Sequence, residues 1–232
     1  ALTRRLSTAI DRRTGRVTAP LHRSRTEVSR LAMLFGLDAF AGGFVVSTFL
    51  VFWFGRRFGA SAELMGLVLF GSGLLQALSS IASGWLATRI GLLPTMVFTH
   101  LPSNVLLILI PVMPSLGSAI AMLLLRSTLS QMDVPARQAF VTALVEPEER
   151  TAAAAFTNTA RYVARPFGAA GAGMLMQSVA VGAPFVVAGF LKSVYDVLVF
   201  ARFRRVPLPE EHRGGRTEPE PERGTSAEPP GR

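Results

Sequence analysis

Residues 64–87 read LMGLVLFGSGLLQALSSIASGWLA and contain no charged side chain. A helix of that length covers the ~30 Å hydrocarbon layer of a bilayer, which takes about 20 residues to cross. Five further apolar runs of similar length fill 31–54, 93–113, 116–134, 152–178 and 183–203. Hydrocarbon offers no water to backbone amides and carbonyls, so each run must close its hydrogen bonds internally, and no period-two alternation supports strands. The sequence therefore predicts an all-α membrane protein with six transmembrane helices.

Composition agrees. Half of the 232 residues are apolar and the mean hydropathy is +0.39, high for a soluble domain. One helical bundle is the simpler count. The absence of cysteine excludes a disulfide framework and a thiolate metal site. The net charge of +9 lies mainly in the flanks and loops of the apolar runs, without interleaved aromatic residues, so membrane lipid rather than nucleic acid is the expected partner. His22, His100 and His212 fall in three separate environments; no metal site and no cofactor are expected.

Arginine placement predicts orientation. Arg23, Arg25 and Arg30 precede the first run, Arg89 follows the second, Arg137 and Arg150 follow the fourth, and Arg202, Arg204 and Arg205 end the sixth. The positive-inside tendency makes those segments, and both termini, cytoplasmic at a cell (inner) membrane. The opposite side carries only Arg56 and Arg57. Residues 1–30 form a basic leader without the apolar core of a signal peptide, and they could instead lie as an amphipathic helix on anionic lipid. The first residue is Ala, and the chain reads as a fragment. Residues 206–232, rich in Pro, Glu, Gly and Arg, read as a disordered tail, leaving 31–205 as the membrane bundle.

Between the second and third runs stands Gly84-Trp85-Leu86-Ala87-Thr88-Arg89-Ile90-Gly91. It resembles the Gly-x-x-x-Asp-Arg-x-Gly-Arg loop signature of major facilitator superfamily transporters, with Thr88 at the acidic position. Residues 126–140, RSTLSQMDVPARQAF, with Glu146-Pro-Glu-Glu-Arg150, resemble the end of helix ten and its loop in that superfamily. Thr99-His-Leu-Pro-Ser-Asn104 and Lys192-Ser-Val-Tyr-Asp196 are similar to its members as well. The resemblance implies the carboxyl-terminal six-helix half of a twelve-helix transporter, with the leader as central loop and the amino-terminal half absent. The octapeptide can also be read as a tight turn carrying one positive-inside arginine.

Polar residues inside the runs carry the functional reading. A charged side chain at the bilayer centre costs about 2.5–3.5 kcal/mol on insertion scales and so usually faces a bundle interior or water. Arg126, Ser127, Ser130 and Gln131 share one helical face, as do Asn158, Arg161 and Arg165. With Asp38 and Gln76 they are the candidates for a substrate cavity or for coupling. Asp38 needs a partner or a proton, and the resemblance offers Arg126, Arg161 and Arg165 as its cations. Asp133, Arg137, Lys192 and Asp196 are gate or structural charges, and Lys192 and Asp196, four apart, could satisfy each other. The glycines of the second and fifth runs permit close helix approach.

Other chemistries find little support. His100 with Gly71-Ser72-Gly73 is a weak basis for a serine protease, and no Gly-x-x-x-x-Gly-Lys-Ser/Thr loop occurs. The expectation is a non-enzymatic secondary transporter that moves a small-molecule solute by alternating access, with proton-coupled efflux as one form. A non-transporting six-span interaction or scaffold protein is the alternative.

Overall fold

The computed structural model describes residues 21–205, and every regular element in that range is helical. The expectations for the chain before residue 21 and for the tail 206–232 lie outside the described residues.

Helix α1 (Arg25–Gly43) begins inside the stretch assigned to the leader, with Glu27 in its first turn, where the helix dipole favours an acid. The first apolar run was expected to be one helix. It divides instead into α1 and α2 (Ser47–Phe58). Gly42 and Gly43 are poor helix formers, the β-branched Val45 and Val46 follow, and Val46 takes an extended conformation. Helix α2 ends at Gly59, whose φ of 69° is readily accessible to glycine; the Gly59 and Ala60 amides return to the carbonyls of Gly55 and Phe54.

Helix α3 (Ala62–Ile90) is capped by Ser61, which accepts the Leu64 amide. It runs unbroken through Gly84, so the turn expected over 84–91 contracts to Gly91, with φ 91°. Helix α4 (Leu92–Leu109) follows and tightens into a 3-10 turn at Ile110–Val112.

A reciprocal Ser115–Ser118 capping box starts α5 (Leu116–Leu129). The fourth run was expected to stay helical to residue 134. It stops at Leu129, and α6 (Asp133–Leu144) begins after a short turn. Pro135 accounts for the break: within a continuous helix it would remove the bond to the Gln131 carbonyl and press on that turn, whereas in the first turn of a new helix it has no such bond to lose. Helices α7 (Arg150–Ser178) and α8 (Ala183–Phe203) complete the bundle.

Among the described residues, four segments are long and apolar enough to cross a membrane: Arg25–Phe58, Ala62–Ile90, Leu92–Val112 and Ala183–Phe203. Helix α5 has 14 residues, about 21 Å at the helical rise. Helix α7 is long but carries Arg150, Arg161 and Arg165.

The packing suits a lipid solvent. Leu67, Ile81 and Trp85 of α3 are exposed while Ser72, Ser79 and Ser83 are buried together with Met65 and Val68, so small polar residues meet neighbouring helices and many of the large apolar ones face outward. Helix α1 lies along α7, and α8 packs on both α4 and α1. Two apolar cores result. One gathers Phe35, Met96, Phe140 and Val199; the other gathers Trp53, Phe54, Leu107 and Phe185.

The glycine expectation holds only in part. Gly168 abuts the Phe40 carbonyl and Gly171 the Phe44 ring, but Gly66, Gly73, Gly84 and Gly173 have open space where a side chain would stand. Gly189 of α8, which the sequence reading passed over, lies against the Asn104 carbonyl and Ile108 of α4.

Candidate functional site

Along each central helix the two cores are separated by a polar residue. Asp38 of α1 falls between Phe35 and Phe44, the residue just past the helix end, on α4 His100 falls between Val97 and Leu107, and on α8 Lys192 falls between Ala188 and Val199. All three are buried. The residues that would be costly one by one are stacked into a common layer, where they can satisfy one another.

Asp38 is the hub. Lys192 Nζ donates to its Oδ1, and Arg161 Nη1 on α7 donates to its Oδ2 at 2.9 Å. Arg137 Nη1 on α6 stands 3.6 Å from Oδ2, and His100 Nε2 stands 3.8 Å from Oδ1. One carboxylate on α1 thus faces cations or a histidine from four other helices. Charge-assisted bonds of this kind are shorter and stronger than neutral ones and offset the cost of removing the carboxylate from water.

The expected Lys192–Asp196 pair is not formed. Lys192 turns to Asp38, while Asp196 accepts from His100 Nδ1 at 2.9 Å and from Asn104 Nδ2 at 2.8 Å. Both residues are buried, without water to complete a loose pair along one helix, and each takes a partner that approaches from a neighbouring helix. Helix α8 is central to the layer. His100 therefore presents one ring nitrogen to Asp196 and the other to Asp38. Neither is bonded to Ser72, whose hydroxyl has no hydrogen-bond partner among the described residues.

Of the three cations offered to Asp38 by the sequence, only Arg161 reaches it. Arg126 and Arg165 make no ion pair or side-chain hydrogen bond among the described residues, and the Arg126 Nε is buried without a partner. Asp133 pairs along its own helix with Arg137, at 2.7 Å.

A cavity of about 560 Å³ opens beside this layer. Gln76, Ser130, Gln131, Asn158, Arg161 and Arg165 line it, with Asp38 and Arg126 also on its wall. Gln131 Nε2 donates to Gln76 Oε1 at 3.2 Å, tying α3 to the turn after α5. Asp133, Arg137 and Lys192 reach the cavity as well; Asp196 does not line it. Arg89 is remote, stacked on the Trp85 ring at 5.1 Å, and Gly84 and Gly91 do not line the cavity.

Sequence reasoning missed His100 and Asn104 as partners of Asp196. Their i, i+4 spacing in an apolar run, matched by that of Lys192 and Asp196, was the available signal.

A second polar contact holds one end of the bundle. Glu149, just before α7, accepts the amides of His22, Arg23 and Ser24 at 2.8, 3.0 and 3.2 Å. The His22 amide foremost, opposed by burial and aided by Arg23 and Ser24, holds the Glu149 carboxyl down at about 2.

The model of the Major Facilitator Superfamily matches residues 31–229. An uncharacterized membrane protein of Saccharomyces cerevisiae, YJR124C, is 26% identical over 175 residues, covering 75% of this chain. The match spans 39% of that relative's length. No solved structure matches the chain.

Proposed function

Because the chain belongs to the Major Facilitator Superfamily, whose members are generally transporters, we propose that it is the carboxyl-terminal six-helix half of a twelve-helix secondary active transporter. It moves a small solute across the cell membrane by alternating access. The missing amino-terminal half closes the cavity, and the solute sits between the halves. The paired helices α5 and α6 and the arginine-bearing α7 supply the two crossings beyond the four apolar ones.

The observation that carries this reading is Asp38, buried at the cavity wall and held by Lys192 and Arg161 from two other helices. A charge layer of this kind has two arrangements within reach: ion pairs closed, or Asp38 protonated and its cations released. Alternation between them couples proton movement to solute movement, since a carboxylate beside two cations stays ionised and one parted from them takes up a proton. His100, with one nitrogen toward Asp38 and one toward Asp196, gives that proton a second acceptor inside the bundle. In one form of this cycle, proton entry drives solute efflux.

The test is Asp38→Asn in the full-length gene product, reconstituted in vesicles. Counterflow exchange of solute persists and pH-driven accumulation disappears. Survival of pH-driven accumulation would remove the coupling role from Asp38. Absence of any solute flux from a well-folded wild-type protein would favour a scaffold instead.

A further inference from the structure

The cavity carries an excess of positive charge. Five arginine or lysine side chains line it against two carboxylates, Asp38 and Asp133. Those carboxylates are already engaged, the first by Lys192 and Arg161 and the second by Arg137. Arg126 and Arg165 are left on the wall without a carboxylate within ion-pair distance among the described residues. The buried Nε of Arg126 also lacks any hydrogen-bond acceptor. An unsatisfied donor of a permanently charged group, removed from water, is a costly feature that native proteins seldom keep without a partner.

We propose that the partner is the solute: the cavity takes a small organic anion, its carboxylate or phosphate group seated against Arg126 and Arg165. A guanidinium presents a fork of donors that matches the paired oxygens of either group. The cavity volume of about 560 Å³ lies within the range of small-molecule pockets. Gln131, Ser130 and Asn158 supply neutral polar contacts to the rest of the solute. This inference rests on the transporter reading, because it names the class of solute for the same cavity.

The test uses the full-length gene product, purified in detergent for equilibrium binding and reconstituted for flux. The probes are acetate, succinate, inorganic phosphate and glycerol 3-phosphate, against choline and glucose. At least one anion binds saturably, and the carboxylate and phosphate arms separate the two head groups. Arg126→Gln and Arg165→Gln each weaken that binding by roughly tenfold or more, the scale of a charged hydrogen bond. Arg126→Lys loses less, and Arg57→Gln, remote from the cavity, changes nothing. Arg165 is exposed, so its variant keeps the test alive if Arg126→Gln fails to fold. Binding of choline or glucose with no binding of any anion, or loss of neither affinity in the two glutamine variants, overturns the proposal. Anion binding without flux of any probe leaves the anion site standing and sinks the transporter reading. Flux of choline or glucose alone does the reverse.

Discussion

Gly43 of α1 and Gly168 of α7 meet so closely that a methyl group on either would lie 3.0–3.1 Å from the Cα of the other. A methyl on Gly168 would also strike the Phe40 carbonyl, and one on Gly43 the Arg165 carbonyl, so backbone rather than a flexible side chain would have to move. This contact holds α1 against α7 a short distance from the Asp38–Arg161 pair. Gly168→Ala is expected to cost about 1–3 kcal/mol of stability, the usual penalty for overpacking. Gly73→Ala, with open space beside it, should be close to neutral. Thermal unfolding of the two variants in detergent checks the difference, and equal melting temperatures would contradict the contact.

Hydropathy made the helices legible because a run without charges can satisfy its backbone in lipid only as helix. It could not show where those helices break. Pro135 ends α5 early through a bond it cannot make, and the Gly42-Gly43-Phe44-Val45-Val46 stretch divides the first run, yet neither interrupts the apolar pattern. Face periodicity placed Asn158, Arg161 and Arg165 together, and the structure sets all three on one cavity. Partner choice was out of reach. Lys192 and Asp196 look self-sufficient along one helix, and only the packing of α8 against α1 and α4 brings Asp38 and His100 closer to them.

Glu149 gives the bundle an acid limit at one end. Its carboxyl sits at about 2 against an ordinary 4.5, so its contribution is complete above the ordinary value and is lost as pH falls from about 4.5 through about 2. Protonation removes the charge that receives the His22, Arg23 and Ser24 amides. Glu149→Gln should be less stable than wild type at neutral pH and should lack this acid-dependent limb. Unfolding midpoints followed across that range decide the matter; an identical slope in both proteins would mean that other carboxylates dominate.

The arginines predict an orientation. In the proposed six-crossing bundle the start of α1, the α3–α4 turn and the end of α8, with Arg25, Arg89 and Arg204, would share the cytoplasmic side. The Gly59 turn would lie on the other side. The chain has no cysteine, so single introduced thiols report cleanly. In intact cells an impermeant maleimide should modify a cysteine introduced at Ala60 and spare one introduced at Thr88. Labelling in the opposite sense would invert the orientation, and equal labelling would contradict six crossings.

The Lys192–Asp38 pair makes a prediction that the helix-local alternative does not share. Removing one member of a buried ion pair costs about 3–5 kcal/mol, because the other is left charged and unpaired. Lys192→Met should fall toward the lower end of that range, since Asp38 keeps Arg161. Adding Asp38→Asn to Lys192→Met removes the carboxylate that has lost its lysine. It frees Arg161, whose side chain is 24% exposed and opens on the cavity, where water can solvate it. The double variant should therefore be more stable than Lys192→Met alone. Asp196→Asn should give no such rescue, because Asp196 is held by His100 and Asn104 rather than by Lys192. Melting temperatures of the three variants in one detergent test the cycle. Rescue by Asp196→Asn in place of Asp38→Asn would restore the pairing along α8 and break the interhelical layer on which the proposed coupling depends.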